Sequence, residues 1–167
     1  PAPLLHQWRL FHEGLDGIIA VNAYNGRELW RFPIPHVLQA YDGDELMGVA
    51  GTGSNMCVAE DHLYVRCDDR CLQLDVATGK QTAQFSKVPA ADGVSRPWGY
   101  LAWSAGVLFG SSADPEHVVT FRFVDRGGDM TRQLTESKNL FAFDTQSGKT
   151  LWAYPAQNSL RHNAIAI

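Results

Sequence analysis

Three short stretches hold residue types that do chemistry. Asp114-Pro-Glu116-His117 sets carboxylates beside an imidazole, the pairing that acid–base catalysis or a metal site draws on. Cys67-Asp-Asp-Arg-Cys71 spaces two thiols across a tight turn. They could close a cross-strand disulfide, stay free, or form half of a metal site, although no second Cys or His pair at zinc spacing accompanies them. Asp42-Gly-Asp44-Glu45 has the acidity of a calcium loop without the regular spacing and distal Glu of an EF-hand. Each stretch has a plainer reading: a capped turn with a solvated His, free thiols, a solvated acidic turn. These plainer readings come first. No Ser-His-Asp order, glycine-rich phosphate loop or HExxH motif occurs.

Composition narrows the classes further. The 167 residues suffice for one domain with a real core, and 45% hydrophobic with 19% charged residues is a globular balance. A net charge of −4 argues against nucleic acid, which needs a basic face. No apolar run is long enough to span a membrane as a helix. The chain opens on Pro1 without an initiator Met, so a leader or an upstream region is expected to be missing. Three cysteines, Cys57 among them, do not make a full disulfide framework.

The elements that would position any site come from a repeat. Asn139 to Pro155 reads as an alternating strand, a polar turn at Thr145-Gln146-Ser147-Gly148, and a strand ending on aromatics. Gly17 to Pro33 and Arg70 to Phe85 follow the same pattern. With Gly26, Gly79 and Gly148 superposed, apolar residues fall at Ile19, Leu72 and Phe141, and again at Val21, Leu74 and Phe143. A short polar residue precedes each glycine at Asn22, Asp75 and Asp144, and an aromatic follows at Phe32, Phe85 and Tyr154. Apolar residues two apart share one strand face. The glycine takes the positive φ of the turn, and the Asn, Thr or Ser before it can bond the local backbone. Trp30 and Trp152 lie on the same face as Phe32 and Tyr154, and their recurrence in register predicts core packing between sheets.

Asp144-Thr-Gln-Ser-Gly148-Lys-Thr-Leu-Trp152 is similar to the tryptophan-docking repeat of pyrroloquinoline-quinone-like (PQQ-like, quinoprotein-type) β-propellers. Asn22-Ala-Tyr-Asn-Gly26-Arg-Glu-Leu-Trp30 is a close copy. Asp75-Val-Ala-Thr-Gly79 has Ala83 in place of Trp, which predicts looser packing of that blade on its neighbour. The resemblance implies an all-β fold of four-stranded antiparallel blades, about three of them, as part of a larger or dimer-closed propeller. It looks closest to bacterial quinoprotein-like repeat proteins, which implies a periplasmic or extracytoplasmic location. The quinone-dependent dehydrogenases of this family carry an adjacent Cys-Cys pair, a tryptophan floor and a calcium site. This chain has no adjacent cysteines.

In chain order, blade 1 is expected to show strands B to D over about 9–33 without an innermost strand A. Blade 2 covers about 55–86, and blade 3 about 99–155 with an insertion at 112–138. A strand A for a next blade is expected at about 161–167. The chain would then end in the strand its first unit lacks, so either it is a segment of a longer propeller or two copies exchange strands into a six-bladed ring. Three blades fall below the usual range of about four to eight.

Connections from strand D to A and from B to C emerge on one face, and the long segments 33–54, 86–98, 155–160 and 112–138 are of those two types. Binding surfaces tend to sit on such loops. The residues they could present to a protein or small-molecule ligand include Arg96, Trp98, Asp114, His117, Arg132, Arg161 and His162. A channel-lining Arg161 could equally be structural, bonded to carbonyls. The expectation is a non-catalytic binding or scaffold module with no assigned cofactor. The alternative is part of a PQQ- and calcium-dependent oxidoreductase whose active-site residues lie in other blades.

Overall fold

The computed structural model describes residues 3–14, 16–34, 56–67, 69–86, 88, 93–94, 96–113, 136–161 and 165–167. Twelve strands form three separate four-stranded antiparallel sheets, each built in sequence order. Blade 1 holds β1 (Leu4–His6), β2 (Arg9–Gly14), β3 (Gly17–Asn22) and β4 (Glu28–Pro33). Blade 2 holds β5 (Met56–Ala59), β6 (His62–Cys67), β7 (Arg70–Asp75) and β8 (Gln81–Ser86). Blade 3 holds β9 (Trp98–Ser104), β10 (Val107–Ala113), β11 (Glu136–Asp144) and β12 (Thr150–Arg161).

The expected strand pattern needs two corrections. Blade 1 has its own innermost strand, β1, which pairs with β2 through Leu4↔Phe11 and Leu5↔Leu10. Three residues between Pro3 and the Gln7-Trp8 turn carry too little alternation to read as a strand; pairing to β2 supplies what the pattern does not. The vacancy that strand exchange was to fill is therefore absent. At the other end, 155–160 is strand rather than connection, because β12 pairs back to the start of β11 through Ser137↔Leu160 and Glu136↔Arg161. Arg161 ends β12, and no strand is assigned to 165–167.

The repeat is a repeat of geometry. Each blade's first hairpin turns through a left-handed backbone at Gln7 and Trp8, at Glu60, and at Ala105 and Gly106. Primed turns of this hand match the strand twist. The second hairpin places φ near +70° at Gly26 (72), Gly79 (71) and Gly148 (69), where a side chain would be strained. The residue four before each glycine organises that turn. Asn22 Oδ1 accepts from the Tyr24 and Asn25 amides, while Asp75 Oδ1 and Asp144 Oδ1 each accept an amide and a hydroxyl from Thr78 and Ser147. The two turns of each blade are joined by one backbone bond: Ala23 to Trp8, Val76 to Asp61, Thr145 to Gly106.

Two apolar layers hold the blades together. Phe11, Ile18, Ala20, Trp30 and Ile34 of the blade 1 side meet Leu63, Val65, Leu72, Leu74 and Val76 of blade 2. On the other face of blade 2, Tyr64, Cys71 and Phe85 meet Trp98, Leu101, Leu108, Phe141 and Phe143. Burying each such large side chain contributes about 1.5–3 kcal/mol.

Trp30 docks as the repeat predicts. Its ring lies on Gly79, where a Cβ would come within 2.6 Å of the indole carbons. Its Nε1–H donates to the Val76 carbonyl at 3.0 Å. Trp152, expected in the core, is 43% exposed, with no sheet among the described residues on its side of blade 3. The looser packing expected from Ala83 is also not what the second layer shows. Gly148 is indeed uncovered there. Trp98 fills the layer from the other end, edge-on to Phe141 at 5.0 Å and stacked near Phe143 at 6.0 Å. Gly110 makes room for it, since a Cβ there would overlap the Trp98 and Phe141 rings.

Candidate functional site: the long-connection end of the blades

The connections 34–55, 87–97 and 114–135 all leave the same end of the sheets, whereas every connection at the opposite end is a tight hairpin. What the structure describes of the elaborated end is its roots. Ile34 and Met56, which flank the first connection, are buried and apolar, whereas the roots of 114–135 include the buried polar residues Ser111, Ser112, Ser137 and Asn139.

Blade 3 anchors these roots with a serine–asparagine network. Ser111 Oγ accepts the Tyr100 amide at 2.7 Å and shares a 2.7 Å bond with Ser137 Oγ. Asn139 Oδ1 accepts the Ser112 amide at 2.9 Å, and its Nδ2 donates to the Val88 carbonyl at 3.1 Å. Ser112 Oγ also donates to that carbonyl, at 3.3 Å. Ser111, Ser112, Ser137 and Asn139 are all buried. The network matters because both β10 and β11 lose regular register there, between Ser112 and Ala113 and between Ser137 and Asn139. Backbone groups freed by the irregular ladder are met by side chains, as buried polar groups must be. One network thus ties the connection before blade 3, at Val88, to both strands that flank 114–135.

Blade 2 contributes Arg66. From the end of β6 its Nη1 donates to the carbonyls of Trp98 and Gly99, both at 3.0 Å, clamping the start of β9. An arginine bonded to neighbouring carbonyls was the structural role considered for Arg161; Arg66 is the residue that plays it. Its position at the C-terminal end of an inner strand is the signal that could have singled it out.

The seven residues expected to face a ligand fare differently. Trp98 is wholly buried in the layer between blades 2 and 3 and has no free ring face to offer; it lies on a strand, not in the loop. Arg96 is buried at the root of the same connection. Arg161 ends β12 and is exposed. Asp114, His117, Arg132 and His162 lie outside the described residues, as do Asp42, Asp44 and Glu45. Ser111, Ser137 and Asn139 were not anticipated, because nothing about an isolated Ser or Asn in a strand pattern marks it as a buried anchor.

The cysteines are free. Arg66 pairs with Cys71 and Cys67 with Arg70, so the two thiols point to opposite faces of the sheet and cannot bridge. The thiol of Cys57 is pushed up to about 12 and that of Cys71 well above its ordinary value, each mainly by burial. Neither supplies a thiolate near neutral pH. Among the described residues, no three His, Cys, Asp or Glu side chains gather as metal ligands. With no adjacent cysteine pair and the Trp98 ring covered, these residues do not fit a quinone–calcium site.

A family model described as the β-propeller domain of glucose, ethanol and alcohol dehydrogenases (PQQ) matches residues 2–164. The chain belongs to the PQQ β-propeller family. Among solved structures it is similar to BamB from Moraxella catarrhalis, with a TM-score of 0.55 at 14% identity over 90% of this chain and 38% of that one. It is similar also to a quinohemoprotein alcohol dehydrogenase from Pseudomonas putida, with a TM-score of 0.59 at 16% identity over 92% of this chain and 20% of that one. A europium-containing methanol dehydrogenase gives a TM-score of 0.57 at 17% identity, over 92% and 31%. At these identities the likeness shows the fold alone, and the chain spans well under half of each neighbour. No curated protein sequence matches. No helix among the described residues is long and apolar enough to cross a membrane.

Proposed function

We propose that this PQQ-family chain is a non-catalytic binding or scaffolding module that recognises its partner through the long-connection end of its blades. The observation that carries the reading is the asymmetry of the sheets, with the long connections at one end and the strands that flank 114–135 tied to Val88 by Ser112 and Asn139. Recognition needs loops held by a rigid frame. The partner is a protein or a small molecule, and the extracytoplasmic location implied by the family resemblance is part of the proposal.

A second reading rests on the family's own description as a dehydrogenase domain and on the quinohemoprotein neighbour. In it, this chain is one part of a PQQ-dependent oxidoreductase whose reacting groups sit in other blades. The two separate on titration of the chain with PQQ and calcium, followed by quinone absorbance and by reduction of an artificial dye. The binding reading expects no saturable absorbance change and no dye reduction. A saturable quinone signal with dye turnover would overturn it.

A further inference from the structure

We infer that blades 2 and 3 leave a slot between them, at the tight-hairpin end, that binds a flat aromatic ring carrying an N–H beside a carbonyl, the edge of a cyclic amide. The slot lies away from the long connections and at an inner joint, with a described blade on each side.

Register across the three blades shows how this joint departs from the repeat. Blade 1 sets Phe11, Ala20 and Trp30 side by side across β2, β3 and β4, and blade 3 sets Phe109, Ala142 and Trp152 in the same places. Blade 2 has Tyr64, Gln73 and Ala83 there. The indole is gone, and a glutamine stands where the other blades have alanine. A glutamine side chain is smaller than an indole, so the exchange leaves room.

That room shows on blade 3. At Gly79 a Cβ would meet the Trp30 ring at 2.6 Å, but at Gly148, its counterpart opposite blade 2, nothing lies within 4 Å. Gly148 is exposed and Ala83 partly so, which opens the space to solvent. Tyr64 closes its inner side, with the hydroxyl in reach of the Thr145 side chain of the same turn.

Gln73 makes this a site rather than a gap. It is 7% exposed, and its Oε1 is buried with no hydrogen-bond partner among the described residues. A buried acceptor left unmet costs about 1–3 kcal/mol, a cost that the alanines of the other blades do not carry. Its cross-strand neighbour Tyr64 belongs to the layer against blade 3, so the amide is on the face turned to Thr145 and Gly148. A glutamine amide offers an acceptor and donors side by side. The group that satisfies both at once is a second amide edge, donor opposite acceptor. The terminal torsion of glutamine is broad, so the amide can turn that edge to an arriving ring. Gly148 lets the ring approach the backbone closely.

The test is titration of the full chain with oxindole, a bicyclic ring with a lactam edge, and with indole, the same frame without the carbonyl. Calorimetry gives the affinity, and backbone amide shifts give the place. Oxindole is expected to bind saturably at or below about 1 mM, about tenfold tighter than indole, and to shift the amides of Ala83 and Gly148. Gln73→Leu is expected to erase the tenfold preference while the ring still binds. Ala83→Trp, which puts the repeat's own ring into the slot, is expected to abolish binding of both. No saturable binding up to about 10 mM overturns the inference. So does a preference that survives Gln73→Leu, or binding that survives Ala83→Trp.

Discussion

Trp30 and Trp152 occupy the same place in the repeat and have opposite surroundings. Trp30 is 9% exposed, sits on Gly79 and satisfies its indole N–H on Val76 O. Truncating it empties the first apolar layer and removes a buried hydrogen bond. Trp30→Ala is therefore expected to cost about 3–5 kcal/mol, read as a drop in the urea midpoint. Trp152→Ala is expected to cost under about 1 kcal/mol. Equal losses at the two sites would contradict the packing described. The turn carboxylates make a second, pH-dependent prediction. Hydrogen bonds from Thr78 and Ser147 hold Asp75 and Asp144 below the ordinary 3.8. A depressed folded-state pKa means that their contribution is complete above the unfolded value and is lost as pH falls through the folded one. Stability is thus expected to decline as pH falls below the ordinary 3.8, and less so in the Asp75→Asn, Asp144→Asn double variant. Blade 1 already builds the same turn on Asn22. Both substitutions keep an acceptor, so an unchanged pH profile in the double variant would assign the acid loss to other carboxylates. Much at this scale was legible in the sequence. Gly26, Gly79 and Gly148 are where the turns need them. The residue just before each glycine bonds the local backbone as expected, Asn25 accepting the Arg27 amide, Thr78 that of Lys80 and Ser147 that of Lys149. The residue four before the glycine, expected only to be short and polar, takes up the amides at the centre of the turn.

At the scale of elements, alternation of apolar residues located eleven of the twelve strands to within a few residues. It missed β1, because three residues carry no usable period and the strand exists through its pairing to β2. It also ended β12 early at Pro155, whereas the strand continues and pairs through Leu160 and Arg161. The larger omission was lateral. Ala83 in a Trp slot reads as a weak joint, but packing is settled by the whole layer: the place over Gly148 stays open, and Trp98 fills the layer from its other end. Gly110 is the partner that makes this possible, and only contact across two strands reveals it. Similarly, Ser111, Ser137 and Asn139 become an anchor only because register slips occur beside them. The candidate site was therefore legible as loop asymmetry and not as named side chains: Trp98 belongs to the core, and Arg66 was not singled out at all.

At the scale of the whole molecule, the described residues form three sheets with two apolar layers between them and long connections on one side. The central claim is a division of labour: the blades are a scaffold, and the connections are what it carries. The most direct test replaces residues 114–135 with an Asn-Gly turn between Ala113 and Glu136, followed by urea unfolding and the near-ultraviolet signal of the buried Trp98. If the insertion is carried rather than structural, the shortened chain unfolds cooperatively with stability within about 1 kcal/mol of the parent, since loop length itself costs little. It also keeps the Trp98 signal. Loss of cooperative unfolding, or of that signal, would place the insertion in the core and contradict the account.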